Sequence, residues 1–237
     1  MCFFRKHSAN LAEVFSGYTD WHCHILPGVD DGIQTMDDAL AVLRQYEEWG
    51  VSDVWLTPHI MEDIPNTTAA LKARFEELQQ AYALSSRPSE ASGEISSRIS
   101  LHLASENMMD NLFKERLAAG DLLPIGPKGD HLLVETSYFN PPMDLWGTID
   151  KIKEKGYKPI LAHPERYVYM TDSDYDRLKA KGVLFQMNLF SQAGAYGKAA
   201  QKKVKHLREK HYYDISGTDL HRVKMLATKW PAPIHTI

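Results

Sequence analysis

Short apolar runs alternate along this chain with longer stretches in which apolar residues recur every third or fourth position. The first pattern predicts buried strands and the second predicts amphipathic helices. Asp20 to His24, closed by Ile25-Leu26-Pro27-Gly28, reads as the first strand. A helix follows over Met36 to Trp49, with Thr35 as its cap, Asp38 as a partial capping box and Gly50 as its stop. Val54 to Thr57 is the second strand, ended by Pro58. Thr67 to Leu84 is a helix with Leu71, Phe75, Leu78 and Tyr82 on one stripe. Ser85 to Glu94 is the one polar, low-complexity stretch and reads as a surface loop. Further strands are predicted at Ile99–Ala104, Leu132–Val134, Pro159–Ala162, Val183–Met187 and Tyr213–Ser216. Helices are predicted between them near Met108–Leu117, Asp144–Lys155, Asp174–Lys181 and Lys198–Lys210, and a last helix is expected after His221.

Strands alternating with helices imply parallel pairing and right-handed crossovers. Seven such units without a domain-sized linker predict an α/β protein, a single closed or nearly closed barrel over residues 18–237. A doubly wound open sheet is the alternative. Residues 1–17 read as an amphipathic appendage, helical around Asn10 to Phe15, that offers a docking element for a homo-oligomer. The chain has 237 residues, 43% hydrophobic and 24% charged, which fits one soluble α/β barrel. No apolar run approaches the ~20 residues of a membrane span, so no membrane insertion is expected. Met1 to His7 has no long apolar stretch after its charges and does not read as a secretory signal. Cys2 and Cys23 cannot build a disulfide framework, which points to a reducing, cytoplasmic setting. The net charge of −4 argues against nucleic acid as a partner.

In a β/α barrel the reactive residues lie just past the C-terminal ends of the strands. The first strand ends in His22 and His24, two residues apart and so on one face, with Asp31 in the following loop. His59 follows the second strand, Glu106 the third and Glu135 the fourth. His163 and Arg166 follow the fifth, and Asp219 and His221 the seventh. The sixth ends in Gln186-Met187-Asn188, without a ligand type. Any one of these residues alone reads as a cap, a turn former or a solvated group. Together they place five histidines and four carboxylates on one rim. Imidazole with carboxylate suits Mn, Fe or Zn, not calcium. Nine ligands exceed one ion and fit two or three joined by bridging carboxylates. Clustered ions acidify water and clamp both oxygens of a phosphoester displacement. The Arg166 fork matches phosphate oxygens, unless it merely pairs with Glu165. Tyr138, Phe139 and Tyr167 lie near the rim, where they either stack on a substrate ring or pack.

Other chemistries lack their residues. Cys23 is followed by no arginine in a phosphate-cradling loop. It sits between two inward histidines and is expected to face away as a small buried hydrophobe. There is no glycine-rich nucleotide loop and no Gly-x-Ser-x-Gly elbow.

The quoted pieces resemble the polymerase-and-histidinol-phosphatase (PHP) superfamily of metal-dependent phosphoesterases. They are most similar to its branch of bacterial protein-tyrosine phosphatases from capsule and exopolysaccharide operons. The segments that carry the resemblance are Asp20-x-His22-x-His24-Ile25-Leu26-Pro27-Gly28-Val29-Asp30-Asp31-Gly32, Thr57-Pro58-His59, Ala104-Ser105-Glu106, Leu133-Val134-Glu135, His163-Pro164-Glu165-Arg166-Tyr167 and Asp219-Leu220-His221. The resemblance implies a distorted seven-stranded (β/α)7 TIM-like barrel with three divalent metal ions, usually manganese. It implies one metal on His22, His24, Glu106 and Asp219, and a second with His163, bridged by Glu106 or Glu135. A third would lie on Asp31, His59 and His221. His59, His163 and Arg166 are the expected catalytic residues, and Arg166 and Arg222 the expected substrate contacts. The implied reaction is hydrolysis of phosphotyrosine by a metal-activated hydroxide. The implied partner is a tyrosine autokinase with a Tyr-rich tail, controlling polysaccharide export. The alternatives are a small-molecule phosphomonoesterase of the histidinol-phosphatase type and, outside enzymes, a metal-stabilised binding subunit.

Overall fold

Parallel strands form the interior, wrapped by helices. The computed structural model describes residues 10–85, 98–228, 230 and 234–237. In chain order the elements are α1 (Leu11–Phe15), β1 (Thr19–Cys23), α2 (Met36–Trp49), β2 (Asp53–Leu56), β3 (His59–Ile60), α3 (Thr68–Ser85), β4 (Ser100–Leu103), β5 (Glu106–Met108), α4 (Asn111–Ala119), β6 (His131–Glu135), α5 (Leu145–Glu154), β7 (Lys158–Ala162), α6 (Asp172–Ala180), β8 (Leu184–Asn188), α7 (Leu189–Ala193), α8 (Gly197–Glu209) and β9 (Ile215–Gly217). Local chemistry sets many of these boundaries. Thr35 accepts from the Asp38 amide to start α2, and Gly50, at φ 78°, ends it in the left-handed region. Thr171 and Asp174 form a reciprocal capping box on α6.

The strands pair in parallel in two orders, β1-β2-β4 and β3-β5-β6-β7-β8-β9. The described residues thus hold nine strands, not the seven expected, because a further short strand, β3 or β5, follows each of two predicted ones. β2 and β3 part at Thr57-Pro58, where proline has no N–H for the ladder. β4 and β5 part at Ala104-Ser105. Hydrogen bonds cross both breaks, from the Ala104 amide to Leu56 O at 2.9 Å and from the Glu106 amide to Pro58 O at 3.1 Å. The result is a curled parallel sheet. At its far edge Cys23 bridges to Leu220, and the His24 and Asp219 amides donate to Leu220 O and His22 O at 3.0 and 2.6 Å. The segment after β9 therefore lies against β1.

Alternate strand residues feed two apolar layers. Val54, Leu56, Leu132, Val134, Leu161 and Phe185 face outward and pack with helical residues such as Val42, Leu43, Leu78 and Ile149. Trp55, Leu133, Ile160 and Ala162 face inward and fill the interior, with Trp21, Leu184 and Ile215 packed against them. Helix α1 lies outside this layering but is docked, with buried Phe15 stacked on Trp49 at 5.3 Å.

Two further expectations are corrected. The helix predicted after His221 is only a 3-10 turn, Val223–Ala227, with no side-chain cap at Arg222. The helix predicted from Met108 starts at Asn111, because Glu106–Met108 pairs with β6 and Asp110 caps the helix by accepting from the Phe113 amide at 2.8 Å. The predicted polar loop falls on residues 86–94, outside the described residues, except for Ser85, which ends α3.

Candidate metal centre

A break in the register of β1 creates the first half of the site. Asp20 faces the outer helices, where Tyr46 Oη donates to it at 2.9 Å. Trp21 packs against the inner cluster and Cys23 in the outer one. His22 nevertheless faces inward beside His24, with their Nε2 atoms 3.1 Å apart. Trp21 and His22 are consecutive and share a face, which a regular strand forbids. The pairing with β2 shifts between Asp20 and Cys23, and such bulges re-aim side chains. Asp20 then locks the opposite wall. Its carboxylate accepts from the Thr218 amide at 2.8 Å and Thr218 Oγ1 at 2.7 Å, next to Asp219. Gly217 is required here, since a Cβ would lie 2.6 Å from His22 Cβ.

Three overlapping groups of ligand atoms result: His22, His24, Glu106 and Asp219; His24, His59 and His221; and His59, Glu106 and Glu135. His22 Nε2 lies 3.2 Å from Glu106 Oε2 and 3.5 Å from Asp219 Oδ1. His59 Nδ1 lies 3.1 Å from Glu106 Oε2 and 3.0 Å from Glu135 Oε1. His163 joins through Glu106 Oε1, 2.9 Å from its Nε2. Asp31 is exposed, and its Oδ1 stands 3.6 Å from both His59 Nε2 and His221 Nε2. All nine expected ligands are therefore brought to one rim. Most are buried, with His221 partly so and Asp31 at the solvent edge. His163 and Asp219 hold positive φ angles of 33° and 54°, strain of the kind that functional sites retain.

The tautomers suit a cation. His22 Nδ1 donates to Gln186 Oε1 at 2.9 Å, His24 Nδ1 to Asp30 Oδ2 at 2.8 Å and His221 Nδ1 to Asp219 O at 2.9 Å. In the neutral imidazole each Nε2 is thereby the nitrogen left with a lone pair. Four buried atoms, His59 Nδ1, Glu106 Oε2, Glu135 Oε1 and Asp219 Oδ1, have no hydrogen-bond partner despite these short separations. Buried polar atoms are rarely left this way. Imidazole nitrogens and carboxylate oxygens converging on one place in this way fit divalent transition-metal ions.

The charge balance agrees. Burial opposes ionisation of Glu106 and Asp219, yet the His22 charge outweighs it and holds both carboxyls well below their ordinary range. Burial likewise acts to lower His22, but Glu106 and Asp219 push it up to about 9. Asp30 falls to about 2 against its burial because His24 faces it. His221 is pulled down to about 4 by burial and by the His24 charge, which leaves a neutral imidazole fit for a metal.

Arg166 closes one side. Its Nη1 donates to Asp219 Oδ2 at 2.6 Å, not to Glu165. Its guanidinium lies between two rings, 4.3 Å from that of Tyr138 and 4.0 Å from that of Tyr196. Glu165 is buried and accepts from the Asn188 amide and Tyr213 Oη. Tyr167, a candidate ring-stacking residue, is wholly buried, with its Oη donating to Ala162 O. Arg222 is exposed after His221. Sequence reasoning missed Asp30, Gln186, Asn188 and Tyr196. Asn188 donates from Nδ2 to Asp219 Oδ2 at 2.6 Å, and Tyr196 Oη approaches the same atom at 3.3 Å. Only Asp30 left a signal, as the neighbour of Asp31.

The model of the capsular polysaccharide synthesis family CpsB/CapC matches residues 18–232. The chain belongs to this family. The matched span carries every candidate ligand from His22 to His221. Within CpsB/CapC, the chain is similar to Tyrosine-protein phosphatase YwqE of Bacillus subtilis (strain 168), at 27% identity over 210 residues, covering 86% of this chain and 78% of that one. It is also similar to CapC of Staphylococcus aureus, at 24% identity over 208 residues, covering 86% and 77%. Among solved structures, one comes from work on YwqE from Bacillus subtilis and CpsB from Streptococcus pneumoniae, described there as metal-dependent tyrosine phosphatases. It superposes with a TM-score of 0.77 at 25% identity, covering 88% of this chain and 81% of that one. A phosphotriesterase homology protein from Escherichia coli shares the fold, with a TM-score of 0.52 at 10% identity, covering 92% and 87%.

Proposed function

We propose that this chain is a metal-dependent protein-tyrosine phosphatase of capsule synthesis. The observation that carries the reading is the set of four buried, unpartnered ligand atoms on one rim with Arg166. The two sheets are read as one distorted (β/α)7 barrel over residues 18–237. Its cofactor is read as three divalent ions, manganese first. The groups His22, His24, Glu106 and Asp219; His163 with Glu106 and Glu135; and Asp31, His59 and His221 would hold them. Such ions supply Lewis acidity toward phosphate oxygens and acidify water.

The chain's own residues bind and orient. Arg166 presents a planar fork to two phosphate oxygens. Tyr138 and Tyr196 hold that fork flat from both faces and line the approach. Asn188 and Tyr196 hold Asp219 Oδ2, so Asp219 stays placed when Arg166 turns to substrate. His59 and His163 flank the Glu106–Glu135 carboxylates as the further catalytic residues, and Arg222 is a contact for the polypeptide beyond. The substrate is read as a phosphotyrosine protein, a tyrosine autokinase in a cytoplasmic setting, and α1 as a docking element for a homo-oligomer.

Metal per chain by elemental analysis, with turnover of a phosphotyrosine peptide and of histidinol phosphate after manganese loading, tests this. The peptide is expected to be preferred, and His163→Ala and Asp219→Ala to abolish turnover. A strong preference for histidinol phosphate would overturn the choice in favour of a small-molecule phosphomonoesterase.

A further inference from the structure

Arg166 stands between the metal centre and a second hollow of about 390 Å3. Tyr138, Arg166 and Tyr196 line this hollow as well as flanking the centre, so the two spaces share one layer of side chains. Val168, Ala199 and Phe139 contribute its apolar surface.

Lys203 and Glu165 in the lining are already engaged, and the Arg166 fork is committed to Asp219 and, in the reading above, to the phosphate. Lys203 Nζ donates to the carbonyls of Tyr167 and Met170 at 2.5 and 3.4 Å and to Tyr175 Oη at 3.3 Å. That uses all three ammonium protons. Glu165 accepts from the Asn188 amide and Tyr213 Oη, and Arg166 donates to Asp219. What the hollow offers a ligand is therefore apolar and aromatic surface. Phe139 and Val168 are 70% and 63% exposed and both line it. Large apolar side chains left together in solvent beside a reactive centre mark a contact surface.

We infer that this hollow receives an apolar side chain of the substrate polypeptide, at a position adjacent to the phosphotyrosine. The inference rests on the phosphotyrosine reading above. Continuity decides the occupant. A polypeptide whose phosphate is gripped by Arg166 must cross Tyr138 or Tyr196 as it leaves the centre, and an extended chain advances ~3.3 Å per residue. The neighbouring side chain arrives over the hollow. With Arg166 taken by the phosphate, and Lys203 and Glu165 by their own partners, a charged side chain would find no free partner there. A second copy of the chain needs a face of roughly 1,000 Å2 or more, and a concavity for one side chain does not provide it.

The test uses the metal-loaded full chain. kcat/KM is measured for phosphotyrosine peptides that carry Leu, Ser or Asp before or after the phosphotyrosine, and for p-nitrophenyl phosphate, which has no neighbour. Leu peptides should exceed Asp peptides by about tenfold or more, the range an apolar pocket delivers. Val168→Asp and Ala199→Glu should each lower the ratio of Leu-peptide to p-nitrophenyl phosphate turnover about tenfold. Val168 has an exposed side chain, and Ala199 sits exposed in the first turn of α8, where glutamate suits a helix. Both variants should therefore fold, as thermal melting would check. Equal rates on all peptides, or an Asp preference, would overturn the inference and leave the phosphatase reading standing. A dimer that Val168→Asp dissociates, with the peptide ratio unmoved, would give the face to a second copy and also overturn it. Turnover of histidinol phosphate alone would sink the phosphotyrosine reading itself.

Discussion

Gln186 carries no charge, yet it holds two of the candidate ligands. Its Oε1 accepts from His22 Nδ1 at 2.9 Å and from the His163 amide at 3.2 Å. Gln186→Leu keeps the bulk and removes both bonds. It should weaken divalent-metal binding about 10–100-fold, the usual effect of losing a partner behind a ligand. Competition against a fluorescent chelator measures this, and an unchanged constant would mean that His22 is oriented by packing alone. The candidate ligands were legible in sequence because histidines and carboxylates recur at the strand ends. Gln186 and Asn188 were not, since an amide at a strand end reads as ordinary. Asp30 and Asp31 are the same residue type side by side, and composition cannot say which one turns inward. Asp30 does, and it fixes His24 and the His59 amide. Tyr167 looked like a rim residue by position, but the 3-10 turn Pro164–Arg166 sends it into the core.

The junction of β1 with β9 leaves no room for a side chain at Gly217. A Cβ on Gly217 would meet His22 N at 2.7 Å as well as His22 Cβ. Gly217→Ala must separate the two strands and carry Asp219 away from His22. It should destabilise the fold by about 1–3 kcal/mol, as overpacking does, and lower the metal content. Urea unfolding with elemental analysis would show both, and full metal content at normal stability would contradict the packing account. The order of strands and helices was readable because buried parallel strands and amphipathic helices differ in period. The bulge in β1 was not, because two adjacent inward residues break the alternation on which the reading rests. The short strands β3 and β5 beyond Pro58 and Ser105 were not, since two or three residues carry no period to read. The 3-10 turn after His221 was misread because Val223, Met225 and Leu226 mimic a helical stripe.

Across the whole molecule the interior of the curled sheet is divided, apolar at one end around Trp55, Leu133 and Ile160 and ionic at the other. Without metal, protons have to balance the carboxylates of that ionic end. His22 titrates at about 9 in the fold against 6.5 for an ordinary imidazole. A raised value means that folding favours the charged form. The resulting stability, about 3 kcal/mol at 1.36 kcal/mol per pKa unit, is complete below pH 6.5 and lost as the pH rises through 9. Chelator-treated protein should therefore melt at falling temperature from pH 6.5 to 9. Manganese-loaded protein should resist that fall and melt higher throughout, because ligands that bind only the native state stabilise it. Parallel losses with and without metal would argue against ions at this site.

Cys23 stands back to back with the ligand histidines and is the only cysteine among the described residues. Its Sγ donates to Trp55 O at 3.4 Å, and burial pushes its thiol well above the ordinary range. A sulfur kept protonated and sealed off neither reacts with peroxide nor takes up alkylating agents. Enzymes that cleave phosphotyrosine through a thiolate can be silenced by an oxidative burst. This chain offers such a signal no handle at Cys23, and its output would track the supply of metal instead.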